Sequence, residues 1–390
     1  MRIAIAGLAA LAVAMGIGRF AFTPILPMMQ QDAGLSVAGG GWLASANYLG
    51  YFVGALWAGT HHASRVRAAV AIRAGLVAIA FSSLAMALAT LAIPLGLGFA
   101  AWAVLRFVAG VASAWVLVHT SAWVLERNAA LGRPILAGVL FAGVGSGIVV
   151  AGSLCVILMA AHAGSSSAWL LLGLVSLAVT AIVWRIFHSS TGKRNAFSEP
   201  HRWTWEQARL VLAYGAYGFG YIIPATFLPV MARDVASDPA VFGWAWPVFG
   251  AAAVLSTLGV ALLAGHYGNR AAWIASHLVM ALGVAAPVFW PGAGGIVLAA
   301  LCVGGTFVVI TMVGLQEART VVAAQGIANP ARLMAAMTAT FAAGQIAGPL
   351  SVSFLVGAGG GFAGALLCAS AVLIAGAVLL LGSSLPTSSR

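Results

Sequence analysis

The stretch that decides the fold reads Met15-Gly16-Ile17-Gly18-Arg19-Phe20-Ala21-Phe22-Thr23-Pro24-Ile25-Leu26-Pro27. It lies within an apolar run over residues 3–29, which is long enough to cross a bilayer as a helix. Arg19 stands in the middle of this run, where a guanidinium costs roughly 2.5–3.5 kcal/mol on insertion scales. A charge at this depth marks a functional site by default, so we interpret Arg19 as the anchor of a binding site within the membrane.

The composition is typical of a protein that crosses the bilayer many times. Hydrophobic residues make up 62% of the 390 residues and charged residues only 6%, which leaves too little polar surface for a soluble domain of this length. The 48 glycines suit close helix packing in lipid. The net charge of +11 comes from basic residues that cluster in alternate loops rather than on one face, so we predict no nucleic-acid partner.

Nothing in the sequence indicates a cofactor, a metal site or an enzyme. Cys155, Cys302 and Cys368 lie within apolar runs without metal-ligand spacing, so we interpret them as small hydrophobic residues. The chain has no His-Glu-x-x-His motif, no paired carboxylates and no arrangement of Ser, His and Asp at a common depth. We therefore predict neither a cofactor nor catalysis.

Twelve apolar runs follow one another along the chain, and their length and uniform apolarity predict helices rather than barrel strands. We interpret the first run as a retained span, because it has no convincing signal-peptide cleavage site. The predicted fold is an all-α membrane protein with twelve transmembrane helices. The runs cover approximately residues 3–29, 38–59, 68–91, 96–120, 133–159, 167–187, 207–231, 241–264, 271–290, 292–315, 331–357 and 361–382.

The basic residues predict the orientation of the chain in the membrane. Arg65, Arg67 and Arg73 follow the second run, and nearly all other loop arginines also lie at the N-terminus, at even-numbered junctions or at the C-terminus. The opposite side has only Arg233, which stands beside Asp234. By the positive-inside rule both termini are cytoplasmic, and we expect a multi-pass protein of the inner (cytoplasmic) membrane.

A polar interruption divides the chain into two sets of six runs. We predict an N-terminal half over residues 1–187, a cytoplasmic linker over 188–205 and a C-terminal half over 206–390. The halves echo each other, since the loop at 59–65 corresponds to the loop at 265–270, and Pro24 corresponds to Pro229, with offsets of 206 and 205 residues. Two six-helix halves related by a parallel repeat are a known transporter plan.

The whole chain resembles the major facilitator superfamily. In run four, Arg106-x-x-x-Gly110 is similar to that superfamily's Arg-x-x-x-Gly motif, whose arginine has been linked to substrate or proton coupling. The loops that end in Arg65 and Arg270 resemble its gating loop, Gly-x-x-x-Asp-Arg-x-Gly-Arg, but lack the acidic residue. Residues 16–27, 47–51 and 344–349 resemble the YbfB/YjiJ-like branch. The resemblance implies alternating access around a central cavity lined by spans one, four, seven and ten.

Polar groups on five runs share one level of the membrane. Arg19 and Arg106 each lie about ten residues from the outer ends of their runs, which places them roughly 15 Å below the outer surface, near mid-membrane. The predicted substrate-binding residues at or near this level are Arg19, Arg106, Asn47, Tyr51, Tyr217, Tyr221 and Gln345.

Each candidate also has a structural interpretation. Arg19 alternatively caps carbonyl groups of the irregular stretch around it, and Arg106 alternatively joins helices within the first half. Asn47 and Gln345 are residues that often form interhelical hydrogen bonds. The stripe of Tyr214, Tyr217 and Tyr221 is also typical of packing. Ser113 shares the face of Arg106 on run four, and the Gly-x-x-x-Gly pairs at 143–147 and 344–348 are interpreted as packing signals.

The absence of carboxylates in the middle of the apolar runs favours a negatively charged substrate. The seven acidic residues all fall in loops or at the ends of runs, and they are Asp32, Glu126, Glu199, Glu206, Asp234, Asp238 and Glu317. Proton-coupled pumps commonly use a buried carboxylate. Two buried arginines without such a partner favour a visiting anion, because a guanidinium binds carboxylate, sulfonate or phosphate groups well.

Our first hypothesis is a secondary transporter for a small organic anion, with a coupled proton or a counter-anion as a further partner beside the lipid bilayer. The alternative is an exporter of amphipathic or drug-like compounds, which the large apolar interior with its Met and Phe residues favours. A third class is a transporter-like sensor, although no signalling tail follows the last run. Monomers suffice for this architecture.

Overall fold

The computed structural model describes residues 1–64, 66–91, 98–130, 132, 135–189, 203–233, 239–327, 330–357 and 361–381. These residues form twelve long helices and no strand. Ten of the twelve are long and apolar enough to cross a membrane within the part of the chain described. The helices are α1 (Arg2–Asp32), α2 (Val37–Ala58), α3 (Ala68–Leu91), α4 (Gly98–Ala130), α5 (Ile135–Ala160), α6 (Ser165–Val183), α7 (Trp205–Arg233), α8 (Pro239–Tyr267), α9 (Asn269–Phe289), α10 (Ala293–Ala324), α11 (Ala331–Gly357) and α12 (Gly361–Leu381).

The helices confirm the twelve predicted runs, with two boundaries that were wrong. Helices α4 and α10 continue to Ala130 and Ala324, whereas their apolar runs end near residues 120 and 315. The reason is that Ala, Glu and Arg are good helix formers although they are not all apolar. The extra turns contain Glu126 and Glu317, so both acidic residues lie inside helices, near their C-terminal ends.

The helix contacts repeat between the two halves of the chain. In the first half α1 packs on α5, α2 on α4, and α3 on both α4 and α6. In the second half α7 packs on α11, α8 on α10, and α9 on both α10 and α12. Each contact in the second half corresponds to a contact in the first half with both helix numbers raised by six, as a parallel repeat requires. Most of the predicted linker lies outside the described residues.

Most of the contact between the halves is made by two helix pairs, α2 with α11 and α5 with α8. Glycines bring α5 and α8 together: a Cβ built on Gly145 would lie 2.6 Å from the Gly250 carbonyl oxygen. At the predicted cytoplasmic ends of α2 and α11, a Cβ on Gly59 would lie 3.4 Å from the Ala335 Cβ. The halves therefore meet along two seams, on either side of the central helices.

The Gly143-x-x-x-Gly147 pair is a packing motif, as predicted. A Cβ on Gly143 would lie 2.1 Å from the Leu8 carbonyl oxygen, and one on Gly147 would lie 2.3 Å from the Ala12 carbonyl oxygen. No real Cβ approaches so closely, so these positions of α5 must lack a side chain. The Gly344-x-x-x-Gly348 pair also allows close helix packing, since a Cβ on Gly344 would lie 2.6 Å from the Gly215 carbonyl oxygen.

Candidate functional site

The site is built on an irregular segment of α1. Residues Ala12–Phe20 form a π-helix between two α-helical segments. Turns of this kind occur frequently at functional sites, because they change the direction of side chains and carbonyl groups. Gly16 and Gly18 lack side chains where α5 and α4 come close: a Cβ on Gly16 would lie 2.3 Å from the Gly147 Cα, and one on Gly18 would lie 2.7 Å from Ser113 Oγ.

Side chains of α4 bind the carbonyl groups of this segment. Arg106 donates from Nη1 to the Gly18 carbonyl and from Nη2 to the Arg19 carbonyl, both at 3.2 Å. About two turns further along the same face, Ser113 donates to the Ala14 carbonyl at 2.7 Å. These hydrogen bonds directly support the interpretation of Arg106 as a residue that joins helices. Capping of these carbonyls was named as the alternative role of Arg19, but Arg106 makes these bonds.

Asn47 of α2 completes the hold on α1 and α4. Its amide nitrogen donates to the Gly18 carbonyl at 3.3 Å and to the Arg106 carbonyl at 2.9 Å. Its side chain is fully buried, and its Oδ1 atom has no hydrogen-bond partner among the described residues. These contacts place Asn47 between helices, the interhelical role named as its alternative.

Arg19 is bonded differently from Arg106. Its side chain is 4% exposed, and Nη2 donates to the Oε1 atom of Gln345 on α11 at 2.5 Å. The guanidinium lies over the Tyr51 ring, with 3.8 Å between Cζ and the ring centroid. Within the described part of the chain, its Nε and Nη1 atoms have no hydrogen-bond partner, and neither has Nε2 of Gln345. Three buried N–H donor groups thus converge where the two halves meet.

Positive charge at this site has no carboxylate partner among the described residues. Each ion pair of the described chain joins Glu206 or Glu317 to Arg209 or Arg270, at the predicted cytoplasmic ends of the second-half helices. Burial of an unpaired charge is costly. The arrangement therefore offers an anionic group both positive charge and the Nε and Nη1 donors of Arg19.

The aromatic rings around the guanidinium come from both halves: besides Tyr51, Cζ of Arg19 lies 5.5 Å from the Phe20 ring and 5.8 Å from the Tyr48 ring, and Phe341 is the ring from the second half. Tyr217 donates its hydroxyl to the Phe307 carbonyl at 2.7 Å, and its ring lies 4.8 Å from the ring of Phe341. Tyr221 stacks on Phe307, with centroids 5.4 Å apart and planes 13° apart. Phe341 in turn lies 5.9 Å from Cζ of Arg19. Tyr217 and Tyr221 thus reach the arginine through Phe341 rather than by direct contact.

The structure brings five of the predicted residues into one cluster, namely Arg19, Arg106, Asn47, Tyr51 and Gln345. Sequence reasoning missed Phe307 and Phe341. Phe341 precedes Gln345 by four residues on α11, so helical spacing was enough to place both on one face. Phe307 lies between Thr306 and Val308 in a mostly apolar helix, and nothing in its spacing marks it.

The two predicted gating arginines have different outcomes. Arg65 lies outside the described residues. Arg270, at the start of α9, donates to Glu206 at the start of α7 and lies 3.3 Å from Glu317 of α10. The carboxylates that pair with this loop arginine therefore come from other helices, although the loop itself lacks the acidic residue. A gating role for either arginine stays a prediction.

Comparisons with known proteins agree with the fold. A family model described as "Uncharacterised MFS-type transporter YbfB" matches residues 11–381. The human organic anion transporter MFSD10 (TETRAN) is similar in structure, with a TM-score of 0.75 and 15% identity over 97% of this chain and 99% of that chain. The fucose:proton symporter FucP of E. coli gives a TM-score of 0.69 and 14% identity over 97% and 98%. No curated protein sequence matches the chain.

Identities of 14–15% to the two solved structures support the fold alone. The family match is of a different kind, because it covers nearly the whole sequence, including the α1 segment, the α2 and α4 contacts and Gln345. The twelve helices, the repeated contacts and this match lead to one assignment. The chain belongs to the YbfB-like family of transporters within the major facilitator superfamily.

Proposed function

We propose that this transporter moves a small organic anion across the inner membrane by alternating access, and that Arg19 anchors the anionic group. The observation that carries the proposal is the bonding of Arg19: its guanidinium is buried, leaves Nε and Nη1 without partners, and forms no ion pair with any described carboxylate. A carboxylate, sulfonate or phosphonate group supplies the missing charge and accepts two parallel hydrogen bonds from a guanidinium.

The anion is proposed to bind between the halves. In the closed arrangement the neutral amide of Gln345 accepts a hydrogen bond from Arg19 across the interface. An ionised oxygen is a stronger acceptor than an amide oxygen, so the anion displaces Gln345 Oε1 from Arg19. The Nε2 group of Gln345, which lacks a partner, then has an acceptor in the anion. One ligand thereby bonds to α1 of the first half and to α11 of the second.

Access alternates when the halves rock about this ligand. Arg19 and Gln345 are 4% and 0% exposed, so an anion reaches them only after the halves separate on one side. Coupling is provided by exchange with a second anion or by a proton that travels on the carboxylate of the substrate. Both routes dispense with a buried carboxylate of the protein.

Counterflow into proteoliposomes tests this function. Vesicles loaded with unlabelled benzenesulfonate, succinate or methylphosphonate are diluted into the same labelled anion. We expect accumulation of at least one of these anions by the wild type and none by Arg19→Ala. Arg73→Ala is the matched control, because Arg73 contacts the Trp184 carbonyl away from the centre. Equal accumulation by wild type and Arg19→Ala would rule out the proposed role of Arg19.

The alternative function, export of amphipathic or drug-like compounds, is favoured by the aromatic rings of Tyr217, Tyr221, Phe307 and Phe341. Rings of this kind bind flat apolar compounds without a charged partner. Drug susceptibility of a deletion strain separates the two functions. An increase in susceptibility to neutral or cationic compounds, restored equally by wild type and Arg19→Ala, would favour the exporter.

A further inference from the structure

The contacts between the halves around Arg19 are of two kinds. The first is polar, the hydrogen bond from Arg19 to Gln345. The second is aromatic: Phe20 of α1 meets Phe307 of α10 edge-on at 5.9 Å and 87°, and Tyr51 of α2 meets Phe341 at 6.4 Å and 73°. Edge-to-face pairs of this geometry contribute beyond the area that they bury.

The second-half partners of these contacts form one fixed unit. The Tyr217 hydroxyl holds the Phe307 backbone, and Phe307 is stacked between Tyr221, at 5.4 Å and 13°, and Phe249, at 4.9 Å and 23°. The stack continues from Phe249 to Trp246 at 5.2 Å and 5°. Near-parallel rings on three helices thus hold Phe307 in the position where its ring meets Phe20.

Separation of the halves breaks both kinds of contact at the same place. Arg19 loses an acceptor, and Phe307 and Phe341 lose the rings of Phe20 and Tyr51. A ligand that supplied only charge would restore the first loss and leave the aromatic faces in water. Since Cζ of Arg19 lies 5.5 Å from the Phe20 ring, both losses lie within the reach of one small molecule.

We infer that the transported anion carries an aromatic ring, with the charged group bound to Arg19 and the ring against Phe307 and Phe341. This inference rests on the proposed function and names its substrate class: aromatic carboxylates or sulfonates with a short spacer. Phe307 and Phe341 are then residues that determine specificity, whereas Arg19 determines affinity for the charge.

Matched pairs of anions test the inference on the purified full-length protein. Benzoate is compared with cyclohexanecarboxylate, and phenylacetate with cyclohexylacetate, by titration calorimetry. The members of each pair share charge and approximate size and differ in the ring's π-system. We expect the aromatic member to bind about 2- to 10-fold more tightly, the range that an added aromatic pair contributes.

Two variants make the result specific. Phe307→Leu is expected to abolish the preference and to keep Arg19-dependent binding of cyclohexanecarboxylate, which also demonstrates that the variant is folded. Phe289→Leu is the control, because Phe289 is 77% exposed on the outer surface of α9, and it is expected to keep the full preference.

Three results would overturn the inference. If both members of each pair bind equally and the binding depends on Arg19, the ring assignment is wrong and the proposed function stands. If Phe307→Leu keeps the preference, the ring binds elsewhere. If none of these anions binds in an Arg19-dependent way, the inference fails together with the proposed function.

Discussion

Arg19 and Arg106 are both buried arginines of the first half, but their guanidinium groups have different partners. Arg106 donates to two backbone carbonyls of α1, so its role in holding the helices follows from its contacts. Arg19 donates to one side chain of the opposite half and keeps two nitrogens without partners. An arginine that has N–H groups without a hydrogen-bond partner where the two halves meet is suited to bind a ligand.

Substitution of Arg19 separates charge from geometry. Arg19→Ala is expected to weaken anion binding about 10- to 100-fold, the loss that accompanies removal of hydrogen bonds to a charged group. Arg19→Lys keeps the charge but not the planar fork, so its affinity is expected to lie between those of Arg19→Ala and the wild type. Titration calorimetry measures both. Wild-type affinity in Arg19→Ala would contradict the anchor role.

Gln345→Glu places an internal anion beside Arg19. The new carboxylate neutralises the guanidinium at the position where Oε1 now lies 2.5 Å from Nη2. We expect the free energy of unfolding in detergent to rise by about 1–2 kcal/mol. A hydrogen bond between a charged donor and a charged acceptor is stronger than one with a neutral acceptor. We also expect stabilisation by added anions to disappear.

Gln345→Leu is the control for that prediction, since it removes the acceptor without adding charge. It is expected to lower the melting temperature and to leave added anions able to stabilise the protein. If Gln345→Glu still responds to anions as the wild type does, the anion binds away from Gln345.

At the scale of elements, the π-helical segment of α1 depends on α4. Arg106→Ala leaves the Arg19 carbonyl without the bond that it now accepts at 3.2 Å. A buried acceptor without a partner costs about 1–3 kcal/mol, and we expect the melting temperature to fall accordingly. Arg19→Ala is expected to leave stability unchanged or to raise it, because it removes an unpaired buried charge. A fall in both variants would show that the two arginines have the same structural role.

The contact of α1 with α5 requires glycine. Gly147→Ala introduces a Cβ that would lie 2.3 Å from the Ala12 carbonyl oxygen, and overpacking of this kind costs about 1–3 kcal/mol. The control is Gly259→Ala in α8, where no atom lies within 4 Å of the added Cβ. We expect a lower melting temperature for the first variant only, and equal melting temperatures would contradict the close packing.

The helices of this chain are easier to predict from its sequence than the contacts between them. The twelve runs and the face shared by Arg106 and Ser113 follow from hydrophobicity and helical spacing, which are local. The bond from Arg19 to Gln345 spans 326 positions of sequence, and no spacing rule predicts it. The π-helix is equally hidden, since Gly16 and Gly18 indicate irregularity but not its form. Phe307 was missed because an apolar residue in an apolar helix gives no signal.

At the scale of the whole molecule, alternating access requires the seam between α2 and α11 to open. A Cβ on Gly59 would lie 3.4 Å from the Ala335 Cβ, close to the spacing of a disulfide. We expect the pair Gly59→Cys and Ala335→Cys to cross-link under oxidation and to stop counterflow, with recovery after reduction. Each single variant is the control. Full transport by the cross-linked protein would contradict an opening of this seam.

In the proposed transport cycle, an anion binds to Arg19. The measurement that tests it most directly is the thermal stability of purified wild type and Arg19→Ala against carboxylates, sulfonates and cationic amphiphiles. A ligand at 100 times its dissociation constant adds about 2.7 kcal/mol to the stability of the folded state. We predict that small anions stabilise the wild type and not Arg19→Ala. Stabilisation by cationic or neutral amphiphiles alone, equal in both proteins, would contradict the claim.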